Sequence, residues 1–176
     1  MCALFGVVNY KHLISKKNLK VLVNRLAVAS EVRGTDASGI AYMKNGRLVI
    51  YKKPLPAHKI RFCVPSDTTI VMGHTRMTTQ GAAKFNYNNH HFMGRTEKGS
   101  FALCHNGMLY NDRELAISEE LPATPIQTDS YVAVQLIEKV SYLYYRLISF
   151  LKGKSKLFLA FHFHLVVFLG MVLLPV

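Results

Sequence analysis

The chain opens MCALFGVVN (residues 1–9), an apolar run from Ala3 to Val8 closed by the polar Asn9. A short apolar run with a polar end reads as a buried β-strand, which puts Cys2 at a strand end. Further along, Leu19, Leu22, Val23, Leu26 and Ala27 recur at three- and four-residue intervals within residues 17–32, as on one face of an amphipathic helix, with Arg33 and Gly34 as its exit. Residues 38–43 and 48–52 flank Asn45-Gly46, a strong hairpin signal. TIVMGH (69–74) and FALCH (101–105) read as two more buried strands, and Val132, Val134, Leu136 and Ile137 restore helical spacing over residues 128–140. Strands outnumber helices and helices separate groups of strands, so the fold class is α+β, with sheets covered by helices.

A length of 176 residues suits one domain with a sizeable core rather than two. The net charge of +12 raises nucleic acid or an anionic surface as a partner. The basic clusters are small, however: Lys16, Lys17 and Lys20, then Lys52 and Lys53, then Lys152, Lys154 and Lys156. No zinc knuckle or RNA-binding aromatic motif accompanies them, and no nucleic-acid partner is expected. Cys2, Cys63 and Cys104 form no CxxC pair, which argues against a zinc site and a disulfide scaffold and favours a reducing, cytoplasmic setting. The first apolar stretch is too short for a signal peptide and lacks a preceding basic region, so the start reads as ordinary mature protein.

Cys2 is the most informative single residue. Removal of Met1 would leave a free α-amino group on the same residue as the thiol, with reference pKa values of about 7.7 to 8.0 and about 8.5. The amine can then take the thiol proton near neutral pH, directly or through water, with no histidine needed. A cysteine after the initiator can equally be incidental, and the other motifs decide between these readings.

Met1-Cys2-Ala3-Leu4-Phe5-Gly6 is followed in order by Arg33-Gly34-Thr35-Asp36-Ala37-Ser38-Gly39-Ile40-Ala41, then Gly73-His74-Thr75-Arg76-Met77-Thr78-Thr79-Gln80-Gly81, then His105-Asn106-Gly107 with Asn111, then Thr128-Asp129-Ser130. These blocks resemble the MCGIFG, RGxDSxGIA, GHTRxxTxG, HNGxxxN and SDS or TDT elements of class II glutamine amidotransferases, the group containing glucosamine-6-phosphate synthase and amidophosphoribosyltransferase. Several spaced blocks in the right order are far more specific than any one of them.

The resemblance covers roughly residues 1–140 and implies a four-layer αββα N-terminal-nucleophile hydrolase sandwich, incomplete at its C-terminus. It implies hydrolysis of free L-glutamine to glutamate and ammonia through a γ-glutamyl thioester on Cys2, the ammonia passing to a synthase domain or subunit. Asn106 and Gly107 match the oxyanion hole, where one fixed side-chain N–H and one backbone N–H hold the tetrahedral oxygen. Arg76 matches the group that grips the substrate α-carboxylate, and Asp129 the partner of its α-ammonium; taken alone they would read as a surface ion pair and a helix N-cap. Arg33 is expected to give electrostatic support near the thiol, and Thr79 and Gln80 to supply loop contacts to substrate. Cys63 and Cys104 are expected to be structural or incidental, and neither a cofactor nor metal ligands are expected. Ala3 and Met77 depart from the family pattern without touching the reaction chemistry.

Beyond residue 140 the chain turns apolar, and residues 157–176 contain no Lys, Arg, Asp or Glu. Residues 141–176 are therefore expected as a tail atypical of the family, readable as core, as a membrane-spanning segment or as the product of a lost reading frame. The matching rivals to the enzyme are an inactive truncated or frame-shifted fragment that keeps the motifs and a tail-anchored membrane protein. His162 and His164 would make a membrane helix costly.

Overall fold

The computed structural model describes residues 2–154 and 170–173. Strand β1 is Ala3–Val8 and helix α1 is Lys16–Ala29, started by Ser15, whose side chain accepts from the Asn18 N–H. A 3-10 turn, Ser30–Arg33, leads into β2 (Ala37–Lys44) and β3 (Arg47–Lys53). These two strands form the expected hairpin, with Asn45 at φ 51° and Gly46 at φ 71°, the left-handed pair that a two-residue turn between twisted strands requires. Then come β4 (Ile70–Arg76), β5 (Phe92–Thr96), β6 (Gly99–His105), α2 (Asp112–Ser118), α3 (Ser130–Lys154) and β7 (Gly170–Leu173).

One antiparallel sheet has the order β1-β4-β2-β3 and the other β5-β6-β7. Alternation along the strands sorts the apolar side chains into three layers. Phe5, Val7, Ile40, Tyr42 and Val71 face Leu19, Val23 and Ala27 of α1. On the opposite face of that sheet, Ala41 and Met72 meet Ala102 and Cys104 of β6. Phe101 and Leu103, on the other side of β6, pack with Phe92 against Val134 of α3. The order is helix, sheet, sheet, helix, the four-layer αββα arrangement expected. Burial of these apolar faces supplies the main stabilisation, about 1.5–3 kcal/mol for each large side chain fully removed from water.

Two elements extend the expected plan. Helix α3 continues fourteen residues past residue 140, and β7, inside the acid-free apolar stretch, pairs with β6 in the register Ala102↔Leu173 to His105↔Gly170. Residues 155–169 and 174–176, with His162 and His164, lie outside the described residues. Among the described residues no helix is long and apolar enough to cross a membrane.

Candidate active site

Cys2 and Arg76 meet at one end of the first sheet because of strand register. Ala3 pairs with Thr75, so one step further Cys2 lies opposite Arg76, and Ala37 pairs with Arg76 from the other side. The half-buried Cys2 thiol lies 3.5 Å from the Met77 carbonyl oxygen, and Arg33 Nε donates to the Cys2 carbonyl at 2.9 Å. Gly34 permits this closeness: a Cβ there would lie 2.4 Å from both Arg76 C and Met77 N. Asp36 ties the following loop, accepting from the Thr78 N–H at 2.7 Å, while its own N–H donates to the Arg76 carbonyl.

The Arg76 side chain is buried, 2% exposed, and lies in a cradle of neutral acceptors. Nη1 donates to Asn89 Oδ1 at 2.6 Å, and Nη2 to the Gln80 carbonyl, to the Gly81 carbonyl at 2.8 Å and to Thr128 Oγ1 at 3.3 Å. Among the described residues the ion pairs are His58–Glu31 and Lys139–Glu119, so no carboxylate touches this guanidinium. Burial pushes Arg76 below its ordinary pKa, while the nearby Cys2 thiol and the carboxylates of Asp36 and Asp129 pull it up. The charge of a buried cation hydrogen-bonded only to neutral groups is left without a directly bonded counter-ion.

Strand β6 ends at His105, and Asn106 and Gly107 follow directly from it. Asn106 and Gly107 are exposed, and the His105 ring covers Gly107 so closely that a Cβ there would lie 2.4 Å from His105 Nε2. Asp129 is buried; its Oδ2 accepts from the Leu109 N–H at 2.6 Å, so the carboxylate that could have capped α3 instead holds the loop after Gly107. Asn111, the last residue of its motif, lies at the N-cap position of α2 with no side-chain capping bond.

The remaining expected residues separate. Thr79 is exposed, whereas the Gln80 side chain turns to Asp112, donating to Oδ2 at 2.8 Å, and it is the Gln80 backbone that serves Arg76. Behind that loop lies a cavity of about 400 Å³ lined by Gln80, Asp112, Thr128 and Tyr131 but not by Cys2. Cys104 is buried between the sheets, its thiol pushed up to about 12 by burial, and Cys63 is exposed. Among the described residues no group of three or more His, Cys, Asp or Glu is disposed to hold a metal ion.

Sequence reasoning passed over the supporting residues. Asn88 and Asn89 are buried: Asn89 orients Arg76, and Asn88 Oδ1 accepts from the Gln127 N–H at 2.9 Å. Lys52, lowered to about 8 by burial and by the charge of Arg76, donates to the carbonyl oxygens of Asn89 and His91. His74, His90 and His91 form a buried cluster below Arg76, with the His74 and His90 ring centroids 4.3 Å apart. Burial holds all three imidazoles below their ordinary pKa, His74 at about 3. The one sequence signal was the polar run Asn88-Asn89-His90-His91 just before a strand, where solvent-facing residues are the usual occupants.

No protein-family model matches the chain. It is 34% identical over 146 residues to glutamine–fructose-6-phosphate aminotransferase [isomerizing] of Chlamydia trachomatis, covering 79% of this chain and 22% of the relative. The enzyme of the same name from Staphylococcus aureus is 32% identical over 146 residues, covering 80% of this chain and 23% of the relative. The chain thus spans less than a quarter of the length of these curated relatives. Among solved structures, the glutamine phosphoribosylpyrophosphate amidotransferase of B. subtilis, complexed with ADP and GMP, superimposes with a TM-score of 0.53 at 19% identity, over 90% of this chain and 30% of that one. That likeness speaks to the fold.

Proposed function

This chain belongs to the class II glutamine amidotransferase family, and we propose that it hydrolyses free L-glutamine to glutamate and ammonia with Cys2 as the N-terminal nucleophile. The observation that carries the reading is the pairing of Cys2 with a buried Arg76 that has no carboxylate partner among the described residues. A substrate α-carboxylate supplies the missing anion, and Arg76 retains one Nη1–H and the Nε–H for it beyond the bonds it already makes. Asp129, across the site, takes the α-ammonium. Reading both charges selects the free amino acid over a glutamine side chain within a protein.

Once Met1 is removed, the α-amine of Cys2 accepts the thiol proton and sulfur attacks the side-chain amide carbon. The oxygen becomes an oxyanion held by the Asn106 side-chain N–H and the Gly107 backbone N–H, donors whose individual loss costs about 2.7–4 kcal/mol in comparable sites. The tetrahedral species collapses, the C–N bond breaks, and the nitrogen leaves as ammonia with the proton returned from the α-amine. Water then adds to the γ-glutamyl thioester, the C–S bond breaks, and glutamate and the free thiol are regenerated. Arg33, bonded to the Cys2 carbonyl, holds the nucleophile in place throughout. Transfer of the ammonia to a synthase domain or partner and a cytoplasmic setting complete the reading, on the analogy of the longer relatives.

Purified protein lacking Met1 is expected to release ammonia from L-glutamine and not from Nα-acetyl-glutamine. Equal turnover of both would show that the α-ammonium is not read.

A further inference from the structure

His105, Gly107, Leu109, Asp129 and Ser130 close into one chain of contacts around the loop that leaves β6. His105 Nδ1 lies 3.0 Å from Ser130 Oγ, Ser130 Oγ lies 3.3 Å from Asp129 Oδ1, and Asp129 Oδ2 accepts from the Leu109 N–H at 2.6 Å. The circuit closes at Gly107, where an added Cβ would lie 2.4 Å from His105 Nε2, so the ring stands over that backbone. Ser130 is 1% exposed and Asp129 4%, so little water competes for these bonds.

The chemistry of the groups fixes the direction of the protons. An ionised carboxylate only accepts, so the Ser130 hydroxyl donates to Asp129 and its oxygen is left to accept from His105 Nδ1–H. His105 is thereby held in the Nδ1–H tautomer, with Nε2 over Gly107. Its main-chain oxygen is held too, accepting from His74 Nε2 at 3.3 Å. The ring acts as a stop that sets how Gly107 lies, and hence where its N–H points.

We propose that Ser130 is a positioning residue for the oxyanion hole, coupling the substrate-reading carboxylate of Asp129 to the backbone at Gly107 through the His105 ring. The inference rests on the glutaminase reading above. Ser130 touches neither substrate nor thiol, and its influence passes through the ring. Without its hydroxyl, His105 Nδ1 loses its partner, the ring is free to turn, and the Gly107 N–H loses its fixed aim. Asp129 keeps its bond to Leu109, so recognition of the ground-state substrate survives.

The test compares Ser130→Ala with Ser130→Thr, which restores the hydroxyl, by steady-state kinetics with glutamine and by ¹⁵N NMR of the His105 imidazole. Ser130→Ala is expected to lower kcat about tenfold with KM within about twofold, because a misaimed oxyanion donor weakens only the transition state. The His105 signals should shift from a single Nδ1–H tautomer to a mixture, and Ser130→Thr should recover both properties. If Ser130→Ala does not fold, His105→Phe, which keeps a ring without the N–H, carries the same expectation for kcat. An active wild type with unchanged kcat and tautomer in Ser130→Ala, or unchanged kcat in His105→Phe, overturns this inference alone. A wild type lacking Met1 that does not hydrolyse glutamine overturns the functional reading and this inference with it.

Discussion

The guanidinium of Arg76 is gripped by Asn89, Gln80, Gly81 and Thr128 inside a buried cradle, whereas Asn106 and Gly107 stand exposed on a loop tied down through Leu109 and the His105 ring. On the proposed reading both regions serve the same thiol, yet one is set by dense direct bonding and the other by a relay of contacts. The difference follows from what each must do. A residue that binds a substrate charge present from the start can be locked into the core by several hydrogen bonds, which leave it only the donors the substrate is to fill. Donors for an oxyanion that appears only in the transition state must face the open site, so their positions are set from behind.

If that division is right, damage on the two sides should separate activity from stability. The largest effect is expected at Asn106→Ala: kcat falling roughly 10²–10³-fold by loss of an oxyanion donor, with the melting temperature unchanged because the residue is exposed. A drop in melting temperature matching the loss of rate would break the comparison. Next is Gly34→Ala on the Arg76 side, where the new Cβ meets backbone rather than a movable side chain; it should cost at least about 3 kcal/mol in denaturant unfolding. Asn89→Ala strips Arg76 of its Nη1 acceptor and should lower stability by about 2 kcal/mol while raising KM more than it lowers kcat. A kcat effect alone would place Asn89 on the wrong side of the division.

The smallest effect concerns pH. His74, His90 and His91 are held neutral by burial, with Arg76 and Lys52 adding unfavourable charge, so their folded-state pKa values lie below the unfolded value of about 6.5. The folded state then binds fewer protons than the unfolded one. Their contribution to stability is complete above about pH 6.5 and is lost as pH falls below it. Melting temperature should decline across that window, and His91→Phe should flatten the decline; an unchanged slope would show that the cluster does not govern it.

Legibility followed the same division. The apolar runs made β1, β4 and β6 visible, and Asn45-Gly46 fixed the β2–β3 hairpin. Strand β5 escaped because it is five residues long and buries Phe92 and Gly94 while exposing Met93 and Arg95, and α2 escaped because it buries no residue to give a period. At the candidate site, Cys2, Arg76, Asn106 and Asp129 were singled out by motifs of consecutive residues. Their supports were not, since Asn89 reaches Arg76 across 13 positions, Thr128 reaches Asn88 across 40 and Asp36 reaches Thr78 across 42. Such bonds depend on how loops meet in space, and no local spacing encodes them.

The central claim, that Cys2 with its own α-amine is the nucleophile of a glutamine-reading site, is tested most directly by mass spectrometry of the N-terminal peptide after exposure to a diazoketone analogue of glutamine. The account predicts one adduct on Cys2 in protein lacking Met1, none in protein that retains Met1, and protection by L-glutamine. Equal labelling with Met1 in place, or an adduct on Cys63 or Cys104 instead, would contradict it.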